Sequence, residues 1–369
     1  MKSRLSRRTA LDVLIVGAGQ AGLALGRELE RAGVDFLLLD AARAVGDSWR
    51  ARWDSLRLFT PAEHSSLPGL PFPARRGHFP TKDEVADYLQ AYAAAFNLPI
   101  GLDESVRSLR QIREFDFLIE TDFARYRARQ VVIASGAFHG AYVPPLAATV
   151  APQVRQLHAS SYRNPRELPE GRVLVVGGGN SGVQIAEELT QTHDVIFAVG
   201  TRPPRLPARV LGKSIFWWLD RSGALGVPAD SRMGRQARKV EFLIGRGFGH
   251  AARSGARIVP RIVGVRDGMP CDADGERHDV ASIVWATGFR PTYPWVDLPV
   301  FDRNGAPRHR RGVTAVPGAY FLGLPWLHSR GSALLGWVAK DAAYLAQHII
   351  SALPARNFGR SNVGSRVAS

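Results

Sequence analysis

The chain has 369 residues, a formal net charge of +15, 45% hydrophobic and 22% charged residues, and one cysteine, Cys271. This composition suits a folded protein with room for two or three domains, and no uncharged apolar run reaches the roughly 18 residues that cross a bilayer. A single cysteine excludes an intrachain disulfide and a dithiol redox centre. The positive charge sits on arginines scattered along the chain, so no nucleic-acid-binding run is expected.

Met1 to Asp12 is basic and short and lacks the apolar core of a secretory signal, which leads to the expectation of a cytoplasmic location. Asp12 to Val16 reads as a buried strand that runs into the turn Gly17-Ala18-Gly19-Gln20-Ala21-Gly22. An alanine- and leucine-rich helix follows to about Ala32, ended by Gly33. Phe36 to Leu39 is a second strand, closed by Asp40, which completes a β-α-β unit. Gly46 to Pro80 is rich in loops, prolines and aromatics. Thr81-Lys82-Asp83-Glu84 matches a capping box and predicts a helix to about Phe96. Short alternating segments near Ser105 to Leu109, Asp116 to Glu120 and Arg125 to Arg127 predict a small antiparallel sheet. Gln130 to Ala134 returns to the parallel sheet and ends at Ser135-Gly136.

A second unit opens at Arg172, with a strand over Val173 to Val176 and the turn Gly177-Gly178-Gly179-Asn180-Ser181-Gly182. A helix to about Thr190 and a strand over Val195 to Val199 complete it. Thr201 to Arg261 is hard to read, and its Phe216-Trp217-Trp218 cluster suits core packing or a homodimer contact. Cys271, in the polar stretch Asp267 to Asp279, reads as an incidental loop thiol. Ser282 to Ala286 is a strand closed by Thr287-Gly288, and Tyr320 to Leu322 is a last short strand. A helix from Gly331 to about Ile350 precedes a polar, frayed tail after Pro354.

The fold class is therefore α/β, with two Rossmann-like dinucleotide-binding domains, the NADPH domain inserted into the FAD domain. The expected boundaries are 1–165 for the first part of the FAD-binding domain, 166–281 for the NADPH-binding domain, and 282–369 for completion of the FAD-binding domain.

In the first turn Gly17 permits the tight exit, Gly19 lets a pyrophosphate approach the backbone, and Gly22 lets helix and sheet pack closely. The helix N-terminus offers unpaired N–H groups to the phosphates, and the Asp40 carboxylate accepts from ribose hydroxyls. Gly177, Gly179 and Gly182 repeat this arrangement, with Asn180 and Ser181 serving the second pyrophosphate or simply capping the helix. Where the first unit has Asp40, the second has Gly200, followed by Thr201 and Arg202. An acid there repels a 2′-phosphate, while an arginine beside a hydroxyl binds one, so NADPH is expected over NADH. The plain alternative is a surface arginine.

Read together, these residues resemble the class B-like flavin-dependent monooxygenases, a group that includes flavin-containing monooxygenases, Baeyer–Villiger enzymes, YUCCA-type enzymes and compact bacterial CzcO-type flavoproteins. The resemblance covers roughly residues 10 to 350. It rests on both glycine turns, on Gly46 to Arg50, Asp54 to Pro61, Phe79 to Val85, His158 to Pro165 and Ala286 to Pro291, and on Gly323 to Trp326 with Gly331 to Leu335. The chain departs from the pattern before His158, where Pro152 and Val154 stand, so only His158 and Tyr162 match. It also lacks an asparagine between Asp54 and Pro80, which brings it nearer the YUCCA and small bacterial branches.

The resemblance implies that NADPH reduces FAD and that reduced flavin captures dioxygen as a C4a-peroxide, which oxygenates a small molecule by S- or N-oxidation, ketone oxygenation or decarboxylation of a 2-oxo acid. No metal is implied. It adds Trp49, Arg50, Ser135, Gly136, Thr287, Gly288 and Ser332 to the FAD-binding set, with the turn at Gly331-Ser332 opening a helix toward the flavin. His158 reads as a histidine that orders the interdomain hinge, or else as a structural one. His328, beside Trp326, reads as a substrate-pocket residue or a packed loop histidine. Two other functions share the fold: a flavin oxidase or reductase releasing hydrogen peroxide, and a flavin-binding regulator or transport accessory without enzymatic activity.

Overall fold

The computed structural model describes residues 10–354. The expectations for Met1 to Thr9 and for the tail beyond Pro354 lie outside the described residues. In chain order the main elements are β1 (Leu11–Val16), α1 (Gln20–Arg31), β2 (Phe36–Leu39), α2 (Lys82–Ala95), β3 (Ile100–Gly101), β4 (Val106–Arg113), β5 (Asp116–Thr121) and β6 (Arg125–Ile133). Next come β7 (Arg155–His158), β8 (Val173–Val176), α3 (Asn180–Leu189), β9 (Val195–Ala198), α4 (Ile215–Arg221), β10 (Arg257–Val259), β11 (Ile262–Arg266), β12 (Met269–Asp272) and β13 (Ser282–Trp285). The chain returns through β14 (Val296–Asp297), β15 (Ala319–Phe321) and α5 (Val338–Ser351).

The first sheet runs β14-β4-β5-β6-β1-β2-β3, with β15 also against β6. β1 pairs in parallel with β2 and β6, whereas β4, β5 and β6 pair antiparallel. The long strand β6 belongs to both patterns, so the antiparallel segments extend the parallel sheet. β1 is buried along its whole length, as expected of a strand covered on both faces. The second sheet is all parallel, in the order β10-β9-β8-β13-β7. Two Rossmann-like units are thus present, the second inserted into the first.

Pairing corrects the expected boundaries. β7 lies before residue 166 and β13 after residue 281, yet both pair in the second sheet. The apolar run of β13 marks a buried strand, and the polar sequence of β7 marks none; neither carries a sign of which sheet it joins. The last helix also starts later than expected. Arg330–Ala333 forms a single 3-10 turn, Leu334 is extended, and α5 begins at Val338. A Cβ on Gly336 would stand 2.2 Å from the His64 carbonyl oxygen, so packing against the loop after β2 interrupts the helical run there. Cys271 is buried on β12, one arm of a hairpin with β11, and not in a loop. No helix among the described residues is long and apolar enough to cross a membrane.

The return segment is tied into the first unit by a buried amide. Gln130 on β6 is fully buried; its Nε2 donates to the Ile349 carbonyl of α5 at 2.9 Å, and Tyr320 of β15 donates to its Oε1 at 2.8 Å. Replacing Gln130 orphans a carbonyl and a hydroxyl inside the core. Gln130→Ala is expected to cost roughly 2–4 kcal/mol. Tyr320→Phe, which removes one bond, is expected to cost about 1 kcal/mol. Urea denaturation midpoints at fixed pH check both values.

Candidate functional site

The two glycine turns have the same construction. An ideal Cβ on Gly17, at φ +112°, would stand 2.5 Å from the Ala134 carbonyl oxygen at the end of β6. On Gly177, at φ +125°, it would stand 2.2 Å from the Ala286 carbonyl oxygen at the end of β13. Gly22 and Gly182 would place a Cβ 2.0 Å and 1.9 Å from the carbonyl oxygens of Gly17 and Gly177. Each turn is therefore pressed onto the neighbouring strand and into its own helix. Gly19 and Gly179 differ: a Cβ at either would meet no heavy atom within 4 Å.

These open positions are also the N-caps of α1 and α3. Neither helix has a side-chain cap or an acid in its first turn, whereas Thr81 caps α2 and Ser214 caps α4. Uncapped N–H groups facing open space at the C-terminal edge of a parallel sheet suit a pyrophosphate. Both cradles therefore fit a dinucleotide.

Around the first turn, Asp40 is in place: its carboxylate accepts from Ala18 N–H at 2.7 Å and from Ala42 N–H at 2.9 Å, and it keeps lone pairs for a ribose. Ser135 and Gly136 follow the Ala134 carbonyl directly, with Gly136 at φ +75° and open space beside it. Trp49 is half-buried and packs against the cores of both units. Arg50, next in sequence, is half-buried and bonded to α2. Its guanidinium donates to Asp87 at 2.7 Å and Gln90 at 3.3 Å, which stand one turn apart on α2.

Thr287 and Gly288, expected on the FAD side, lie against the second turn, since they directly follow the Ala286 carbonyl that contacts Gly177. The reason is the membership of β13 in the second sheet. Ala134-Ser135-Gly136 and Ala286-Thr287-Gly288 are counterparts, one behind each cradle. Asn180 is also committed elsewhere, its Oδ1 accepting from the Ile244 N–H at 3.0 Å, while Ser181 stays half-buried in the first turn of α3. Thr201 and Arg202 are exposed just past β9, and the Thr201 carbonyl oxygen lies 2.9 Å from the Cβ position of Gly178. Beside this unit, Arg205, Arg246, His250 and Arg253 line a cavity of about 260 Å³ with a positive wall.

The linkers between the units pair with each other. Ala141 bridges Phe289, Arg290 N–H donates to the Gly140 carbonyl at 2.7 Å, and Tyr142 N–H donates to the Gly288 carbonyl at 3.0 Å. His158, at the end of β7, locks this crossing. Its Nε2 lies 3.0 Å from the Gly288 carbonyl oxygen, which can only accept, so Nε2 carries the hydrogen. Nδ1 then accepts from Ser160 N–H at 3.1 Å. Phe289 packs edge-on to the ring at 5.1 Å. Burial, more than the nearby Arg52 cation, pushes the His158 pKa down against the opposing effect of the Gly288 bond. His158 thus joins the end of β7 to the linker after β13, and its lowered pKa favours the neutral ring. Nearby, Tyr162 is fully buried and donates to Glu188 at 2.8 Å. Arg57 and Gln184 exchange two hydrogen bonds across the units, at 3.4 Å and 3.2 Å.

The return loop before α5 lies over the first cradle. Gln20 Nε2, at the start of α1, donates to the Ala333 carbonyl at 2.8 Å, and a Cβ on Gly323 would stand 2.6 Å from that of Ala21. Trp326 is held at φ +58°, an unusual conformation for a bulky residue and a sign of a constrained loop. His328 is half-buried, its pKa lowered mainly by burial, and its backbone binds Ala229 N–H and the Ser332 hydroxyl. Ser332 is buried and accepts from the N–H groups of His328 and Ser329, so its hydroxyl shapes the loop. Phe216 is core, packed on Trp337, whereas Trp218 is 37% exposed. Asp272, Glu276 and His278 also converge, a cluster the sequence reading did not single out. Asp272 and His278 bond to each other, and Glu276 pairs with Arg257.

Comparison with known proteins agrees with this architecture. A family model described as pyridine nucleotide-disulphide oxidoreductase matches residues 14–206. A Geobacillus kaustophilus protein named uncharacterized oxidoreductase CzcO-like is 44% identical, covering 92% of this chain and 99% of the relative. A probable indole-3-pyruvate monooxygenase of Arabidopsis thaliana, YUCCA3, is 28% identical over 84% of this chain and 81% of its own length. The solved flavin-containing monooxygenase from Stenotrophomonas maltophilia superposes with a TM-score of 0.78 at 28% identity, covering 93% of this chain and 99% of that one.

The hinge histidine makes stability depend on pH. An unfolded histidine takes up a proton near pH 6.5, whereas folded His158 resists until a lower pH. Its contribution is complete above about pH 6.5 and is lost as pH falls through the folded value. His158→Gln is therefore expected to melt well below the wild type at about pH 7, with the gap narrowing toward about pH 5. Melting temperatures across that range test it; a constant gap shows that folding leaves the His158 pKa unshifted, and a gap that widens toward low pH shows that the folded state raises it.

Proposed function

We infer the function from a plain premise: the chain belongs to the pyridine nucleotide-disulphide oxidoreductase family and is a flavin-monooxygenase-type oxidoreductase. We propose that it is an NADPH- and FAD-dependent monooxygenase of a small organic substrate, with dioxygen as co-substrate. The observation that carries this is the pair of like-built cradles at Gly17 and Gly177, joined through one crossing of linkers. Two adenine dinucleotides on one chain imply hydride transfer between them. Because the sequence has a single cysteine, electrons delivered to the flavin have no thiol pair on the chain to reduce.

In this reading Gly17, Gly19, Gly22 and the α1 N-terminus hold the FAD pyrophosphate and Asp40 its ribose. Gly177, Gly179, Gly182 and Ser181 hold the second pyrophosphate. Thr201 and Arg202 meet the 2′-phosphate, which favours NADPH. When bound, FAD supplies dioxygen activation and NADPH the hydride. The protein's own part is orientation and exclusion of water. Trp49 and Leu58 wedge between the two cores, His158 fixes the linker crossing, and the constrained loop from Gly323 to Ser332 covers the first cradle; His328, half-buried in that loop, is the histidine we assign to the substrate.

An aromatic 2-oxo acid is the first substrate class to test. A recess of about 150 Å³ is lined by His64, Arg76, Arg209, Lys213 and Trp217, with one carboxylate, Glu63, that accepts from the Gly77 N–H; the surplus of base beside an aromatic ring suits an anionic ring compound. His64 stacks on Trp337 at 5.6 Å, next to the loop over the first cradle. The plant relatives named as indole-3-pyruvate monooxygenases point the same way.

The test is NADPH oxidation with an aromatic 2-oxo acid, a thioether, an amine and a cyclic ketone, with oxygenated product and hydrogen peroxide both quantified. The expected result is one class giving product in near one-to-one ratio with NADPH consumed. Full recovery of the electrons as hydrogen peroxide with every class would establish an oxidase instead. Absence of flavin-linked NADPH consumption would establish a non-enzymatic flavoprotein.

A further inference from the structure

The acid-free corner at the end of β9 contains a second arginine that sequence spacing does not reveal. A Cβ on Gly200 would stand 2.5 Å from Nε, 3.1 Å from Nη2 and 3.2 Å from Cζ of Arg261. Arg261 follows β10, the strand beside β9. The two strands are locked in register through Val259 and Ala198, and Val199 N–H donates to the Val259 carbonyl at 3.0 Å. The Arg261 guanidinium thus occupies the space that a side chain at position 200 would fill. It does so at the strand end where Asp40 stands in the first unit.

Nothing nearby neutralises it. Arg261 and Arg202 are both exposed, and neither has a hydrogen-bond, ion-pair or ring partner among the described residues. Arg172 and Arg257 of the same unit, by contrast, are paired with Asp194 and Glu276. A free planar fork with two or more open N–H donors, lying over a glycine at the C-terminal edge of the sheet, matches a phosphate monoester dianion.

We propose that Arg261 is a second 2′-phosphate-binding residue, and that residue 200 is glycine because any side chain would displace that guanidinium. Arg261 and Arg202 then approach the phosphate from adjacent strand ends as a two-arginine clamp. This rests on the NADPH reading above and adds a residue to it.

The experiment uses the full-length, flavin-loaded protein and measures the Kd of NADP+, NAD+ and 2′,5′-ADP by calorimetry, so that no turnover is needed. Arg261→Ala is expected to weaken NADP+ and 2′,5′-ADP by roughly ten- to a hundredfold while NAD+ changes less than about twofold. Arg261→Lys, with the charge but not the fork, is expected to fall between. Gly200→Ala, which keeps the arginine but shifts its guanidinium, is expected to weaken NADP+ in the same selective way. Unchanged flavin content and melting temperature verify folding, as expected for an exposed, unpartnered side chain. Equal losses for NADP+ and NAD+, or no loss in Arg261→Ala when Arg202→Ala loses NADP+ selectively, would overturn this assignment and leave NADPH use standing. A wild type that binds NAD+ as tightly as NADP+ would overturn the NADPH reading and this assignment with it.

Discussion

The structure depends on two contacts between glycine backbone and a neighbouring carbonyl: Gly17 on Ala134 and Gly177 on Ala286. In each, the first strand of a β-α-β unit ends where an adjacent strand also ends, and the chain must turn within van der Waals reach of that strand's last carbonyl. No L side chain fits there, and φ above +110° rules one out independently. Once the turn is pressed into this corner, α1 or α3 emerges just beyond the sheet edge with its first N–H groups uncapped and facing outward. The anion site is a consequence of the packing and needs no dedicated basic side chain.

Two such corners work together only if their separation is fixed, and the chain fixes it through polar and apolar ties of different kinds. The apolar wedge is Trp49 and Leu58, which touch both cores, with Trp53 and Leu56 of the first unit buried in the second core. The polar ties are the Arg57–Gln184 exchange and the Asp54 N–H to Arg163 carbonyl bond at 2.7 Å. At the other side the two linkers cross, with His158 donating to Gly288. A buried neutral imidazole suits this position because it offers one donor and one acceptor on opposite sides without the cost of a buried charge.

Local pattern made part of this legible and long-range pairing hid the rest. The β-α-β units, the capping box at Thr81 and the acid at Asp40 are written within about 25 residues each, so their periodicity and spacing are visible. The fold class follows from them. Sheet membership of β7 and β13 is not local, which is why Thr287 and Gly288 were expected behind the first cradle and stand behind the second. Arg50 was expected near FAD because it follows Trp49; its partners Asp87 and Gln90 become neighbours only once α2 packs back. The start of α5 at Val338 in place of Gly331 is set by the contact of Gly336 with His64, again distant in sequence. Arg261 is the extreme case. It is read as one more scattered arginine until the β9–β10 pairing puts it on Gly200.

The glycine at position 200 then changes meaning. In the sequence it registers as an acid that is missing, and the inference about a phosphorylated ribose comes from Thr201 and Arg202 alone. In the fold it is a vacancy filled from the next strand, so the same corner has its electrostatic sign set by two chain segments 59 residues apart (261 minus 202). A chain with 48 basic and 33 acidic residues has unpaired arginines to spare, and net charge cannot say which of them bind anything. What separates Arg261 from the surplus is placement: it follows a strand end and lies over a residue with no side chain. Position at the edge of a parallel sheet, and not the count of positive charges, is what makes an arginine a candidate for recognition.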